Sequence, residues 1–388
     1  NTDDVQGLAD IVTNVMLHIG SQASSNGLGD AIYNFANMTV NMPAIHAILD
    51  GMSPDQAAGI DEFSVVWAIN NIIFDAAYYS GAAVSQSEAA SAVGHMMEVL
   101  GANISSGHAL AMLVQDAVTY LNYEAANAIL DNINPTQASE PDNTFALQAL
   151  MDLTYQSSYA FQGTDVQAAI DTVRHLLEVF GNSMNGANLG YAAQIFADNG
   201  QLAGLDAVLD NISPTQASIV ASIQVDSLLR SLAYNTIGGV VDAQAGADAI
   251  RHLMQVVGNQ ASSWAIGDAM TAFAGSGQLA GLDAVLDNIN PTQGSNMGSA
   301  QVDEALRSVA YNTIGGVVDA QAGADAVRHL MLVVGNHASS WAIGDAMTAF
   351  AGNGHLAGLD AVLDNINPTQ ASNMGSAQVD EALRSIAS

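Results

Sequence analysis

The sequence predicts an all-α fold: an α-helical repeat solenoid of five repeats of about 77–81 residues, with about four helices each. Two observations carry this. The first is one recurring stretch, LDNINPTQ at 130–137, LDNISPTQ at 209–216 and LDNINPTQ again at 286–293 and 363–370, with a looser LDGMSPDQ at 49–56. Its Asp falls at 50, 131, 210, 287 and 364, and a nearly fixed step is the signature of a repeat architecture. The second is helical spacing of apolar residues throughout, with no sustained period-2 alternation of β-branched residues.

The repeat is clearest from Val225 to Gln301. A first helix carries Val225, Leu228, Leu229 and Leu232, an i, i+3, i+4, i+7 set that makes one apolar stripe. A second carries Ile250, Leu253, Met254 and Val257 and stops at Gly258. A third follows the caps Ser262 and Ser263, carries Ile266, Ala269, Met270 and Phe273, and stops at Gly275 and Gly277. A fourth carries Leu279, Leu282, Leu286 and Ile289. The recurring stretch then turns the chain: Asn or Ser caps the next helix and Pro takes its first position, where a missing N–H costs nothing. Five of the seven prolines (Pro54, Pro135, Pro214, Pro291 and Pro368) sit at this corner, so it delimits the repeats. The units are an N-terminal part-repeat 1–53 lacking its first helix, repeats 54–134, 135–213, 214–290 and 291–367, and a C-terminal orphan helix within 368–388. The earlier repeats drift, with extra residues around Trp67–Tyr79 and Glu140–Phe145.

Composition narrows the class of partner. Formal net charge is −32 and all six basic residues are Arg, so nucleic acid and anionic membranes, which need basic patches, are excluded as partners. Only 11% of residues are charged, so the surface is chiefly Asn, Gln, Ser, Thr and Gly, which suits an exported protein in a salty or divalent-rich medium. Absence of Cys removes disulfides, thiolate metal sites and thiol catalysis. No apolar run reaches membrane-span length. The chain starts at Asn1 without an apolar leader, which reads as a secreted or cell-surface protein whose leader has been removed.

The two ends match each other. AQVDEALRSIAS at 377–388 reproduces the first helix of a repeat (AQVDEALRSVAYNTIGG at 300–316), and Asn1-Thr2 is the dipeptide that follows that helix in Tyr311-Asn312-Thr313. Joined, the segments 368–388 and 1–53 make 74 residues, close to one repeat. The expectation is an apolar helix face without a neighbour at one end and an uncovered groove at the other. Solenoids ordinarily close their ends with polar capping repeats. Val379, Ala382, Leu383, Ile386 and Ser388 are the expected donor face, and Asn1, Thr2, Ile11, Val12 and Met16 the receiving groove. Three arrangements follow: an open head-to-tail filament through a heterologous contact, a self-closed ring, or a frayed end with no task.

Candidate chemistry is sparse. Arg-His recurs at 174–175, 251–252 and 328–329, with Arg three residues after Asp171, Asp248 and Asp325; this reads as surface i, i+3 ion pairing, since a helical metal site needs two His at i, i+4. Asp206 and Asp210, Asp283 and Asp287, and Asp360 and Asp364 lie four apart near helix C-termini, where like charges repel and oppose the dipole. Arg230, Arg307 and Arg384 of the following helix are the expected partners, with Ca2+ as the alternative. Trp264, Trp341 and Trp67 are expected in core or repeat-junction packing, with a sugar platform as the alternative. Asn37, Asn103 and Asn211 begin acceptor-type sequons. No phosphate loop, nucleophile elbow or paired-His motif occurs, so no enzyme activity and no cofactor are expected.

The fourth helix and corner, as in LAGLDAVLDNINPTQAS at 356–372, resemble the helical segment of some bacterial autotransporters ahead of their membrane barrel, with its Leu-x-x-Leu-x-Pro-x-Gln corners. That resemblance implies a bacterial cell-surface or exported origin. This chain departs from the family in having neither barrel nor β-helical passenger. The reading is an extracellular homopolymer subunit, itself its own partner. The alternative is a monomeric or ring-closed solenoid binding a glycan or peptide, or mediating Ca2+-dependent adhesion.

Overall fold

The computed structural model describes residues 5–39, 41–78, 85–139, 144–159 and 164–387. Among these residues every regular element is helical, and the chain is an all-α repeat solenoid. It divides into two compact units, 1–188 and 189–388.

In the second unit the expected four helices appear as Ser222–Ile237, Ala243–Val256, Ser263–Ser276 and Leu279–Leu286, followed by a short corner helix Pro291–Ser295. The first packs beside the third, the third beside Ser299–Ile314 of the next repeat, and that helix beside Ser340–Gly352. The second packs beside the fourth, and the fourth beside Ala320–Val334. Two layers result, and every hairpin contributes one helix to each. The first unit is built the same way. Ser25–Asn34, Glu62–Tyr78, Gly107–Thr119 and Thr144–Tyr159 form one layer, and Val5–Ile19, Met42–Gly51, Gln86–Leu100, Tyr123–Leu130 and Val166–Phe180 the other. The apolar stripes meet between the layers, where Phe180, Phe196, Phe273 and Phe350 are fully buried.

The corner explains why LDNINPTQ recurs. Asn290 Oδ1 accepts the Gln293 N–H at 2.9 Å, and Gln293 Oε1 accepts the Asn290 N–H at 3.1 Å, a reciprocal capping box with Pro291 at the first helical position. Gln293 is buried, and its Nε2 donates to the carbonyls of Gly258 (2.7 Å) and Ala261 (2.9 Å), which close the turn after the second helix. One amide thus satisfies backbone groups at two helix ends, where orphan donors and acceptors otherwise lie exposed to desolvation. Gln370 repeats the arrangement on Gly335 and Ala338, Gln137 on Gly101 and Ile104, and Gln56 on Gly20 and Ala23.

Glycine is required where the fourth helix crosses the third. A Cβ on Gly281 would stand 2.5 Å from the Phe273 ring, and Gly358 and Gly204 face Phe350 and Phe196 in the same way. Gly277 ends the third helix in the left-handed region at φ +72°, as the sequence expects of a glycine stop.

Candidate functional site

The last helix, Ser376–Ala387, is identical over residues 376–385 to residues 299–308 in the preceding repeat. In the internal copy Val302, Leu306 and Val309 are each 0% exposed. Their counterparts Val379, Leu383 and Ile386 are 37%, 60% and 50% exposed. The cause is one-sided packing: the internal helix Ser299–Ile314 is held by Ser263–Ser276 on one side and by Ala320–Val334, Gly335–His337 and Ser340–Gly352 on the other, whereas the last helix packs on Ser340–Gly352. Gln378 Nε2 donates to the Trp341 carbonyl at 3.0 Å and anchors it there, as Gln301 does on Trp264 at 2.8 Å. Ala382 departs from expectation. It is 3% exposed, because it points into that anchoring contact, so it belongs to the seat of the helix and not to its free face.

At the other end, Val5–Ile19 and Ser25–Asn34 flank an apolar groove of about 380 Å³. Ile11, Val12, Val15, Met16, Ile19 and Leu28 line it, so the structure brings Ile11, Val12 and Met16 together as expected residues. Ile11, Val15 and Ile19 are 61%, 46% and 60% exposed, while Met16 is buried. The corresponding second helix of the 214–290 repeat buries Ile250, Leu253, Met254 and Val257, and there helix Ser222–Ile237 lies across it. The groove is the counterpart of the surface that a first helix covers inside the solenoid. Asn1, Thr2 and Ser388 lie outside the described residues.

The paired aspartates have a different partner from the one expected. His252, from the second helix of the next hairpin, brings Nδ1 to 3.0 Å from Asp206 and Nε2 to 3.4 Å from Asp210. His329 does the same with Asp283 (2.9 Å) and Asp287 (3.4 Å). The imidazole spans two carboxylates one helical turn apart, and the Asp283 hydrogen bond raises the His329 pKa above its ordinary value. In the first unit His175 meets Asn127 (3.0 Å) and Asp131 (3.5 Å). His95 stacks on His46, with Nδ1 atoms 2.7 Å apart, and reaches Asp50 at 3.5 Å. Burial, then the neighbouring His95, pushes the His46 pKa down. Asp360 and Asp364 form no ion pair among the described residues.

The arginines expected at those aspartates are engaged elsewhere, because the first helix lies in the opposite layer from the fourth. Arg230 lies 4.6 Å above the Trp264 ring and 3.5 Å from Asp268. Arg307 lies 5.0 Å above Trp341 and pairs with Glu304, and Arg384 pairs with Glu381. The tryptophans correct a second expectation. Trp264, Trp341 and Trp67 are 58%, 57% and 47% exposed, so two form surface cation–π stacks and none is a core residue. The Arg174–Asp171, Arg251–Asp248 and Arg328–Asp325 pairs form as i, i+3 surface contacts at 3.1, 2.6 and 2.8 Å. Among the described residues no group of three or more His, Asp or Glu is placed to hold a metal ion, and no helix is long and apolar enough to cross a membrane. The Asn103 side-chain amide is spent on the Ala57 and Ile60 carbonyls at 2.6 and 3.0 Å, where a glycan would disrupt the corner.

The histidine clamp is legible in hindsight. His95, His175, His252 and His329 recur at the repeat step, but the aspartates they meet are 42–46 residues away, and only the layer arrangement brings them together.

No family model matches the chain, and no curated protein matches it. Among solved structures, one match is a circular tandem repeat protein with novel repeat topology and enhanced subunit contact surfaces. It is 11% identical, covers 98% of this chain and 78% of its own length, and has a TM-score of 0.21. A likeness at that score transfers neither geometry nor assembly to this chain.

Proposed function

We propose that this helical repeat scaffold is a non-catalytic structural subunit of an extracellular homopolymer, a surface fibre or matrix, in which the last helix of one copy seats in the first groove of the next. One observation carries the reading. A helix identical over ten residues to one whose apolar face is fully buried inside the solenoid exposes Val379, Leu383 and Ile386, and an apolar groove of the kind that buries such a face stands uncovered at Val5–Ile19. Burying three such side chains contributes about 1.5–3 kcal/mol each before ordering costs. The contact is heterologous, so it extends into an open filament unless the rotation closes. A polar, strongly acidic surface without Lys fits an exported location.

The test is light scattering with negative-stain microscopy on the intact chain, on a chain ending before Val379, and on Leu383→Asp. Fibres from the intact chain that vanish in both variants are the expected result. A compact monomer in all three would overturn the polymer and favour a monomeric binding module. A compact monomer whose tail resists proteolysis only when Leu383 is intact would replace the filament with a self-closed ring.

A further inference from the structure

Every internal contact between a fourth helix and the next second helix is closed by an imidazole: His95, His175, His252 and His329 each reach the Asp of the recurring stretch, at 3.4–3.5 Å. The Gly-x-Gln-Ala-Ser-Ser segments at 20–25 and 258–263 fix the register of the first second-layer helix against the rest, and Asn14 then stands where His252 stands. Asn14 is exposed. At the opposite end, Leu356–Leu363 repeats the helix that His329 meets, residue for residue with Leu279–Leu286. Among the described residues its Asp360 and Asp364 meet no imidazole, and Leu363 is 46% exposed where Leu286 is 2%. Seating the last helix of one copy in the groove of the next brings these two faces into the register of an internal contact.

We propose that Asn14 is the position that distinguishes the join between copies from every join within one: it sets a neutral amide against Asp360 and Asp364 of the preceding copy, leaving their charge in place. This rests on the head-to-tail reading. Two like charges four residues apart repel, and an amide cannot gain a proton to offset them. The copy-to-copy join therefore lacks the imidazole–carboxylate contact that each internal join has, and it opens before the internal ones. Ile11 sharpens the difference. It stands where Ala249 and Ala326 are buried beside the preceding fourth helix, which makes the join bulkier and more apolar on that side.

The experiment is Asn14→His in the full chain, with assembly followed by sedimentation at about pH 5.5 and about pH 8, on either side of the ordinary imidazole range. An imidazole at 14 faces Asp360 and Asp364 across the join, Asp10 and His18 on its own helix, and His46 and Asp50 on Met42–Gly51, which packs on that helix. N14H is expected to strengthen assembly about two- to fivefold at the lower pH, with the gain fading at the higher. Adding Asp364→Asn should reverse sign between backgrounds, strengthening assembly of the natural chain and weakening that of N14H. The double variant I11A/N14H restores the internal Ala–His combination, should Ile11 hold the helices apart. Fibres that depend on Leu383 yet ignore both N14H and I11A/N14H would overturn this inference alone. Absence of any Leu383-dependent assembly would overturn it together with the head-to-tail reading.

Discussion

At the scale of single residues, polar side chains hold the repeats together by finishing backbone and carboxylate groups that the helix ends leave over. Gln293 is the clearest case, since its amide serves the Asn290 N–H and the Gly258 and Ala261 carbonyls at once. Gln293→Ala strands those buried groups, and each costs about 1–3 kcal/mol; urea unfolding of the variant should show a loss of at least that size, whereas the exposed Gln244→Ala should show a few tenths. The histidines give a pH dependence with two signs. The His329 pKa is raised by its Asp283 hydrogen bond, so its contribution is fully present below the ordinary imidazole value and is lost as pH rises through the folded one. The His46 pKa is lowered by burial and by His95, so its contribution is present above the ordinary value and is lost on acidification. H329Q should flatten the alkaline flank of a stability–pH curve and H46Q the acid flank, each by about 0.2–1 kcal/mol. Changes of one sign in both variants would contradict the assignment.

At the scale of elements, the helices were legible because each carries its own apolar stripe, cap and stop: Ser262 does accept the Ala265 N–H, and Gly277 does take the left-handed stop. The short helices after each Pro corner were legible only as corners, because four or five residues are too few to show a period. What an isolated helix could not reveal is which neighbour its polar edge would meet. Arg230 looks as available to Asp206 as His252 does along the sequence, yet the layers place it over Trp264. Close approach of third and fourth helices is equally a property of the pair. Gly281→Ala would gain about 1 kcal/mol of helix propensity in a lone helix, but the Phe273 ring lies where the methyl must go. The expected outcome is a net loss of about 1–3 kcal/mol from overpacking, seen as a lowered thermal midpoint; a raised midpoint would show that the ring moves aside freely.

At the scale of the whole molecule, charge opposes the proposed head-to-tail association. Each chain carries −32, so bringing copies together works against their mutual repulsion, which salt screens over roughly 8–10 Å near physiological strength. Assembly should strengthen as salt rises from a low-salt buffer, and divalent cations should act at lower concentration than monovalent ones. Scattering that is flat across ionic strength would mean that repulsion does not limit the join. The same low count of basic groups fits the finding that, among the described residues, five of the six arginines pair at i, i+3 and imidazole serves at repeat contacts.

The sequence by itself determined the helices, the five corners and the likeness of the last helix to a buried one, because periodicity, capping and repetition are local properties carried by each segment. The tertiary structure decided the layering. It placed Ala382 in the seat and Leu383 on the free face, paired Asp206 and Asp210 with an imidazole 46 and 42 residues away, and turned Trp264 and Trp341 outward. Those outcomes depend on which helix stands beside which. That is fixed by apolar faces and Gly–Phe contacts closing between layers, and no single stretch of chain contains it.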